Sequence, residues 1–166
     1  MFSAEGVGTL IHRDEYAAIR RAAAKDASEI YRLLQPAMET EELLPRTLEE
    51  VRAAVERFFV YDLDGTIVGC VAVIPYPERS QVEIACLAVD AAHENRGIGR
   101  RLVEIALREG QRCGAAEAFV LTTQAANYFR SKVGFTEASA AILPPERRAR
   151  WEQSGRNSLV LRRALS

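Results

Sequence analysis

The stretch that decides the fold is residues 82–101, which read VEIACLAVDAAHENRGIGRR. Its first part, up to Val89, is apolar except for Glu83 and has the length and composition of a β-strand. A polar segment follows and ends in Gly97-Ile98-Gly99, after which an amphipathic helix begins at once. The pattern therefore predicts a strand, a glycine-containing turn and a helix N-terminus in direct succession.

Such a turn is suited to binding an anion. The first backbone N–H groups of a helix have no partner inside the helix, and the helix dipole adds partial positive charge there. Glycine lets a ligand approach the backbone closely. The turn is not a Walker loop, because no Gly-Lys-Ser/Thr follows, and it lacks the third glycine of a dinucleotide fingerprint. We therefore predict a phosphate or pyrophosphate site at residues 96–101, with a tight turn that binds nothing as the alternative.

Composition narrows the class of protein. The chain has 166 residues, 48% of them hydrophobic and 27% charged, which fits one globular domain with a sizeable core. A net charge of -1 favours neither nucleic acid nor a membrane surface as a partner. Cys70, Cys86 and Cys113 show no CxxC spacing and indicate reduced thiols in a cytoplasmic protein. His12 and His93 lie far apart, so no metal is expected. We find no stretch of transmembrane length and no signal-peptide pattern.

The start of the chain differs from the rest. Residues 1–16 show little periodicity and are interpreted as an N-terminal arm, or as the remnant of a junction between domains. The domain itself is expected to span residues 17–166, beginning with a strand at residues 17–21.

Two capping boxes mark expected helix starts. Asp26 with Glu29, and later Thr47 with Glu50, each place an acidic residue three positions after a capping residue. Pro36 is expected to kink or end the first of these helices.

The remaining elements follow from hydrophobic patterns and turn residues. Asp64-Gly65 predicts a tight hairpin. Strands are expected at 59–63, 66–75, 82–89, 118–122, from 135 and at 158–162, and helices at 98–113, 125–132 and 145–153. The resulting order, β-α-α-β-β-β-α-β-α-β-α-β, contains both hairpins and a crossover, and it predicts an α/β (α+β) fold around a mixed sheet.

Both the turn and the order of elements resemble the GCN5-related N-acetyltransferase (GNAT) family. In that family the turn reads Arg/Gln-X-X-Gly-X-Gly/Ala and holds the pyrophosphate of acetyl-CoA. Here Glu94 occupies the Arg/Gln position, so the expected cradle consists of backbone groups. The resemblance implies the acyl-CoA N-acyltransferase fold, with a mixed central sheet of about six to seven strands flanked by helices.

Several segments resemble the acetyltransferase domain of the bacterial N-acetylglutamate synthases more closely. They are residues 43–47 (LLPRT), 64–70 (DGTIVGC), 83–89 (EIACLAV), 119–123 (FVLTT) and the ending from Leu143-Pro144 to Arg156-Asn157-Ser158. Residues 6–10 (GVGTL) resemble the junction with that family's arginine-regulated kinase-like domain, so a short form or an excised catalytic domain is expected. The resemblance implies transfer of the acetyl group of acetyl-CoA to the α-amino group of an amino acid, L-glutamate, in the first step of arginine biosynthesis.

Glu83 is the candidate general base. The reaction needs a neutral amine, so a base must take a proton from the ammonium group, directly or through water. Glu83 is the one carboxylate in an apolar strand, and glutamate is rarely buried without a reason. The family's proposed base stands at this position, while the alternative is a solvated residue on a half-exposed strand. For the leaving thiolate, Tyr128 is the candidate acid, with core packing as its alternative.

The substrate residues are implied by the same resemblance. Planar guanidinium groups bind carboxylates in bidentate fashion. Arg46 and Arg156 match positions that hold substrate carboxylates, and Ser158 matches a hydroxyl beside the second arginine; surface charges are the alternative for the arginines. Cys86 occupies a position where some relatives carry lysine, with a small buried hydrophobic residue as its alternative. By strand parity Glu83 and Cys86 face opposite sides, so both can line one site only if a bulge intervenes.

Acetyl-CoA is the expected co-substrate. Its expected contacts are Leu87, Ala88, Val89, Asn95, Arg96, Gly97, Ile98, Gly99, Arg100, Arg101 and Gln124. Arg147, Arg148 and Arg150 are expected on a solvated helix face. The expected partner is a small amino acid, and a homodimer stays open. Two alternatives to a glutamate acetyltransferase remain: a relative acting on glutamine, another small amine or a peptide N-terminus, and a non-catalytic domain that only binds CoA.

Overall fold

The structure is a computed structural model and describes residues 18–165. Its strands are β1 (Ile19–Arg21), β2 (Phe58–Leu63), β3 (Thr66–Tyr76), β4 (Gln81–Val89), β5 (Glu117–Thr122), β6 (Thr136–Glu137) and β7 (Leu159–Ala164). Its helices are α1 (Ala27–Glu39), α2 (Leu48–Ala53), α3 (Ile98–Arg112), α4 (Ala126–Val133) and α5 (Pro145–Gln153), joined by short 3₁₀ turns. This is the order of elements that the sequence predicts. The predicted arm, residues 1–16, lies outside the described residues.

Within the described residues, seven strands form one mixed sheet in the order β1-β2-β3-β4-β5-β7-β6. Neighbouring strands are antiparallel except for β4 and β5, which are parallel and joined by the crossover helix α3. The prediction of a mixed α/β sheet flanked by helices is therefore confirmed.

The hairpin between β2 and β3 has the predicted turn. Asp64 and Gly65 both have positive φ, 51° and 92°, as a tight hairpin turn requires. The Asp62 carboxylate accepts a hydrogen bond of 2.7 Å from the Gly65 N–H and closes the turn. Beyond the turn, the register of β2 and β3 shifts between Tyr61 and Asp62.

One of the two predicted capping boxes is present. Thr47 and Glu50 exchange hydrogen bonds of 2.9 and 3.1 Å between side chain and backbone at the start of α2. The prediction for Asp26 with Glu29 is wrong, because the Asp26 side chain makes no capping bond to α1. It is buried and instead accepts hydrogen bonds from the Arg20 guanidinium at 2.7 and 3.1 Å and from the Ala23 N–H.

Helices cover both faces of the sheet. On one face α3 and α4 bury residues such as Leu102 and Phe129, and on the other α1 and α2 bury Ile30, Leu34 and Val51. α1 runs through Pro36 to its end at Glu39. β4 lies at the middle of the sheet, so its side chains are held between two packed layers. Across residues 18–165, no helix has both the length and the apolar character needed to cross a membrane.

We expect Asp26→Asn to lower the free energy of unfolding by about 1–3 kcal/mol at pH 7, because it removes the charged partner of a buried hydrogen-bonded pair. The Arg20 guanidinium holds the pKa of Asp26 below its usual range. The stabilisation is therefore present above the unfolded pKa of about 3.9 and is lost as pH falls through the lower folded pKa. Urea unfolding at pH 7 and at pH 3 measures the difference.

The matched control is Glu49→Gln, since the Glu49 side chain is 81% exposed and pairs with Arg52 on the surface of α2. It should change stability by less than about 0.5 kcal/mol. Two results would contradict this explanation. One is an equal loss of unfolding free energy in the two variants, and the other is a loss for Asp26→Asn, relative to wild type, that is as large at pH 3 as at pH 7.

Candidate active site

A cleft opens where β4 and β5 separate. The two strands pair only at residues 81–83 with 117–119, and Glu83 opposite Phe119 is the last pair. Beyond that pair, residues 84–87 and 120–125 line the opposite walls of the cleft. Backbone groups on such diverging strands can hydrogen-bond an extended ligand.

A β-bulge in β4 shapes the end of this cleft. Ala72 of β3 faces Ala85, and Cys70 faces Ala88, so two steps along β3 match three along β4. Within the bulge, Cys86 has a left-handed φ of 55°. Because of the additional residue, Glu83 and Cys86 line the same cavity, which strand parity alone does not allow.

This second cavity, which we name the arginine cavity, adjoins the cleft at Ala85, Cys86 and Leu121. Four arginines line it, Arg46, Arg147, Arg150 and Arg156, together with Glu42, Glu83, Trp151, Ser154 and Ser158. Four guanidinium groups around one buried carboxylate make the cavity a site for anions. Within residues 18–165, no group of three or more histidines, cysteines or acidic residues is arranged to hold a metal ion.

Glu83 is 3% exposed and forms a bidentate ion pair with Arg147. Its Oε1 accepts from Arg147 Nε at 2.9 Å and its Oε2 accepts from Arg147 Nη2 at 3.2 Å. Tyr76 donates its hydroxyl to Oε1 at 3.3 Å. Burial lowers the pKa of Arg147, but the Glu83 charge outweighs this and raises it overall, so Arg147 remains a cation. Burial also raises the pKa of Tyr76, which keeps its hydroxyl a donor.

Arg46 and Arg156 have donors without protein partners. Arg46 Nη1 donates to Cys86 Sγ at 2.9 Å, and Arg156 Nη2 donates to the Glu42 carbonyl. The Nε of each is buried and has no hydrogen-bond partner in the described part of the chain. Burial and the neighbouring charge of Arg147 lower the pKa of Arg156. A buried donor without a partner costs about 1–3 kcal/mol, so a carboxylate in this cavity would be stabilised by both arginines.

Ser158 forms part of the same wall. It is 7% exposed, and its hydroxyl oxygen accepts a hydrogen bond of 2.9 Å from Trp151 Nε1. A hydroxyl has one donor besides its acceptor sites, so Ser158 can also donate a hydrogen bond to a ligand.

A third cavity, which we name the turn cavity, lies at the start of α3. Gly97, with a φ of 78°, precedes the helix, and the first amide bonded within it is that of Arg101, which donates to the Gly97 carbonyl at 3.1 Å. The amides of Ile98, Gly99 and Arg100 therefore precede the first intrahelical bond. The cavity is lined by Leu87, Ala88, Val89, His93, Glu94, Asn95, Gly97, Ile98, Gly99, Arg100 and Tyr128.

Two residues predicted at this turn have other contacts. The Arg101 guanidinium lies over the Tyr61 ring at 5.8 Å and donates to the Arg96 carbonyl at 3.0 Å. Neither Arg96 nor Arg101 lines the turn cavity. The Arg101 amide is used within the helix, and its guanidinium lies beside Gly97, where Nη1 would be 3.1 Å from an added Cβ. Contacts of Arg96 and Arg101 with the co-substrate stay a prediction. Gln124 lines the cleft, as expected for a residue beside the co-substrate.

Tyr128 lies at the turn cavity and not at the arginine cavity. Its hydroxyl would be 4.0 Å from a Cβ atom added to Gly99, and it is buried without a hydrogen-bond partner among the described residues. Burial raises the pKa of Tyr128, so the phenol stays protonated at neutral pH. Its role as the acid stays a prediction.

Sequence reasoning missed Arg147, Tyr76 and Trp151. For Arg147 the expectation of a solvated position is wrong, because its side chain is 15% exposed and faces Glu83. Arg148 does lie on the surface, where it pairs with Glu152 at 3.2 Å. Residues three and four apart share a helix face, and Trp151 follows Arg147 by four. The position of the tryptophan was therefore a usable signal for which arginine points inward.

The fold and the three cavities define a class of protein. Residues 24–135 match the acetyltransferase (GNAT) family model, and the chain belongs to this family. The resemblance inferred from the turn and the order of elements is thereby confirmed.

Among curated relatives, the chain is similar to amino-acid acetyltransferases. It is 33% identical over 165 residues to that of Neisseria meningitidis serogroup B, covering 99% of this chain and 38% of the relative. It is 30% identical over 161 residues to that of Vibrio cholerae, covering 97% and 36%. The chain thus spans little more than a third of the length of these relatives.

Solved structures show the same likeness. The N-acetylglutamate synthase of Neisseria gonorrhoeae, complexed with coenzyme A and N-acetyl-glutamate, has a TM-score of 0.85 and 34% identity, covering 89% of this chain and 35% of that one. Rv2747 of Mycobacterium tuberculosis, also in complex with CoA, has a TM-score of 0.72 and 25% identity, covering 89% and 99%. The second relative shows that the fold also occurs in a chain of about this size.

We expect Gly99→Asp to weaken binding of CoA at least about tenfold, because it places a negative charge at the turn that is predicted to bind the phosphates. The fold should tolerate the change, since an added Cβ would be 3.7 Å from Val89 Cγ2, an ordinary contact. Calorimetric titration with CoA measures the affinity. The matched control is Gly114→Asn at the other end of α3, where a Cβ meets nothing within 4 Å and asparagine tolerates the positive φ. Unchanged affinity in folded Gly99→Asp would show that the turn does not bind the phosphates.

Proposed function

We propose that the chain is an acetyl-CoA-dependent amino-acid N-acetyltransferase that acetylates the α-amino group of L-glutamate. The observation that carries this proposal is the arginine cavity, which meets the cleft beside a buried carboxylate, Glu83. In the whole protein the reaction would be the first step of arginine biosynthesis, in the cytoplasm.

The cleft and the turn cavity, which share Leu87, suit acetyl-CoA. The pyrophosphate would bind at the turn cavity, on the amides of Ile98, Gly99 and Arg100. The pantetheine arm would extend along the cleft between β4 and β5, past Leu87, which lines both cavities. This places the thioester near Cys86, where the cleft meets the arginine cavity. That both solved relatives are complexed with CoA supports CoA as the ligand of these cavities.

The charge of the arginine cavity suits an acceptor with two carboxylates. Arg46 contacts Cys86 at the mouth of the cleft and so lies near the expected thioester, whereas Arg147 and Arg156 are close enough that the charge of one lowers the pKa of the other. We therefore assign the α-carboxylate to Arg46 and the side-chain carboxylate to the pair of arginines. Glutamate supplies both groups, and glutamine supplies only the first.

The chemistry then follows from these positions. Glu83 takes a proton from the α-ammonium group, directly or through water. The amine lone pair attacks the thioester carbonyl, a C–N bond forms and the C–S bond breaks. The nitrogen gives up its second proton as the amide forms, which balances the proton that the CoA thiolate takes up. The CoA thiolate leaves and takes up a proton, for which Tyr128 is the proposed donor. The products are the N-acetylated amino acid and CoA.

Two alternatives make different predictions. A relative that acetylates glutamine, another amine or a peptide N-terminus would release CoA with that acceptor, and a domain that only binds CoA would release none. Detection of the free CoA thiol, with glutamate, glutamine and a panel of small amines tested side by side, separates the three. Release with glutamate supports the proposal, and release with none of the acceptors contradicts it.

Glu83→Gln keeps the size of the side chain and removes its basicity. We expect it to lower the turnover number by about 10²–10⁴-fold, the usual contribution of general-base catalysis, with little change in the Michaelis constant for acetyl-CoA. Initial rates over a range of pH measure this. Near wild-type turnover by a folded variant would assign proton removal to water or to another group.

Arg156→Ala should raise the Michaelis constant for the amino acid and leave that for acetyl-CoA nearly unchanged. Truncating one partner of a buried charge pair costs roughly 2–4 kcal/mol, which is the expected loss in kcat/KM for the acceptor. The control is Arg148→Ala, because Arg148 is exposed and lines none of the three cavities. Equal increases in the Michaelis constants of both substrates would contradict a role in acceptor binding.

A further inference from the structure

The ion pair with Arg147 conflicts with the role of Glu83 as a base. Glu83 Oε1 accepts hydrogen bonds from Arg147 Nε and the Tyr76 hydroxyl, and Glu83 Oε2 accepts one from Arg147 Nη2. The Glu83 and Arg147 side chains are only 5% and 15% exposed, so water screens the pair weakly. Both oxygens of Glu83 face donors of Arg147, so a proton of the acceptor can be passed to Glu83 only after this bidentate interaction opens.

We propose that the acceptor itself releases the base: its side-chain carboxylate replaces Glu83 on Arg147, and Glu83 becomes a proton acceptor only when the acceptor is in place. This inference rests on the proposed function. It makes Arg147 a residue that couples binding of the acceptor to activation of the base, in addition to any role in binding.

The surroundings of the pair favour such an exchange. Arg147 and Arg156 line the same cavity, and Arg156 has a buried Nε without a protein partner in the described part of the chain. An incoming carboxylate can therefore be held by both guanidinium groups. Glu83 is not left without a partner, because Tyr76 still donates to Oε1 and is itself held by Arg150 Nη2 at 3.4 Å.

The exchange has a consequence for specificity. An acceptor without a side-chain carboxylate can bind through its α-carboxylate, but it leaves Arg147 on Glu83. Glutamine should therefore differ from glutamate in turnover number as well as in affinity. A residue that only binds the side chain need not change the turnover number.

The exchange also means that Glu83 competes with the acceptor for Arg147. We call the protein open when Glu83 and Arg147 are separated. If the open form makes up about one tenth of the free protein, the apparent affinity for glutamate is about tenfold below that of the open form. Glu83→Gln removes the competing charge and should tighten binding of glutamate by about this factor, although it abolishes most of the turnover. The test is calorimetric titration of the CoA-saturated protein with glutamate and with glutamine, which cannot react because CoA carries no acetyl group.

The controls separate competition from a general loss of negative charge. Glutamine binding to Glu83→Gln should stay within about twofold of wild type, since its side chain has no charge that competes for Arg147. Glu42→Gln removes an acid that lines the same cavity and makes no ion pair with Arg147, and it should not reproduce the effect. Unchanged or weaker glutamate binding, equal tightening for both amino acids, or an equal effect of Glu42→Gln overturns the inference.

A second variant covers the case in which Glu83→Gln does not fold. Arg147→Lys keeps the positive charge, but an ammonium group cannot engage both oxygens of Glu83 in the same fork. In wild type the Glu83–Arg147 pair is taken to be closed about nine-tenths of the time, and Arg147→Lys frees one oxygen of Glu83. The turnover number of this variant with glutamine should therefore rise by about tenfold. A fall in turnover with both amino acids overturns the inference. If the wild-type protein releases no CoA from acetyl-CoA with any of the amines tested, the proposed function is overturned instead. The two failures are therefore distinguishable.

Discussion

The site depends on one feature of the backbone: β4 separates from β5 partway along its length while it stays paired with β3. It leaves β5 after Glu83, and a bulge at Cys86 breaks its register with β3. The separation creates the cleft, and the bulge brings Glu83 and Cys86 into one cavity. Two packed layers hold the strand at this point, so the opening does not depend on a mobile loop. The left-handed φ of Cys86 is strain that this packing maintains.

The electrostatics follow from that geometry. Because Glu83 is buried in the cavity wall, it needs a charged partner, and Arg147 of α5 supplies it. The same cavity holds further arginines whose donors are incompletely used, so it carries more positive than negative charge. An anionic acceptor would therefore neutralise part of the excess positive charge of the cavity. In this account one carboxylate serves as the base and also as the stand-in for the acceptor's carboxylate until the acceptor arrives.

Much of the fold could be predicted from the sequence, because its signals are local. Asp64-Gly65 determines a hairpin by backbone conformation alone, and Gly97-Ile98-Gly99 lies directly between a strand and a helix. The site was less predictable because its contacts link distant segments. Outside the site, the predicted capping box at Asp26 was wrong because Arg20, six residues earlier, provides a stronger partner. The inward direction of Arg147 depends on how α5 packs near a strand 64 positions away. The three arginines in residues 147–150 do not by themselves show that Arg147 and Arg150 line the cavity and Arg148 does not; the one sequence signal for the inward face is Trp151, four residues after Arg147.

We propose that this site acetylates glutamate because the four arginines of the cavity favour an acceptor with two carboxylates. A competition experiment tests it most directly: acetyl-CoA is supplied with equimolar L-glutamate and L-glutamine, and the acetylated products are quantified by mass spectrometry. The ratio of products reports the ratio of the two kcat/KM values. The account predicts that N-acetylglutamate predominates by at least about tenfold, the effect of one lost charge-assisted contact. Equal amounts of the two products, or an excess of N-acetylglutamine, would contradict it.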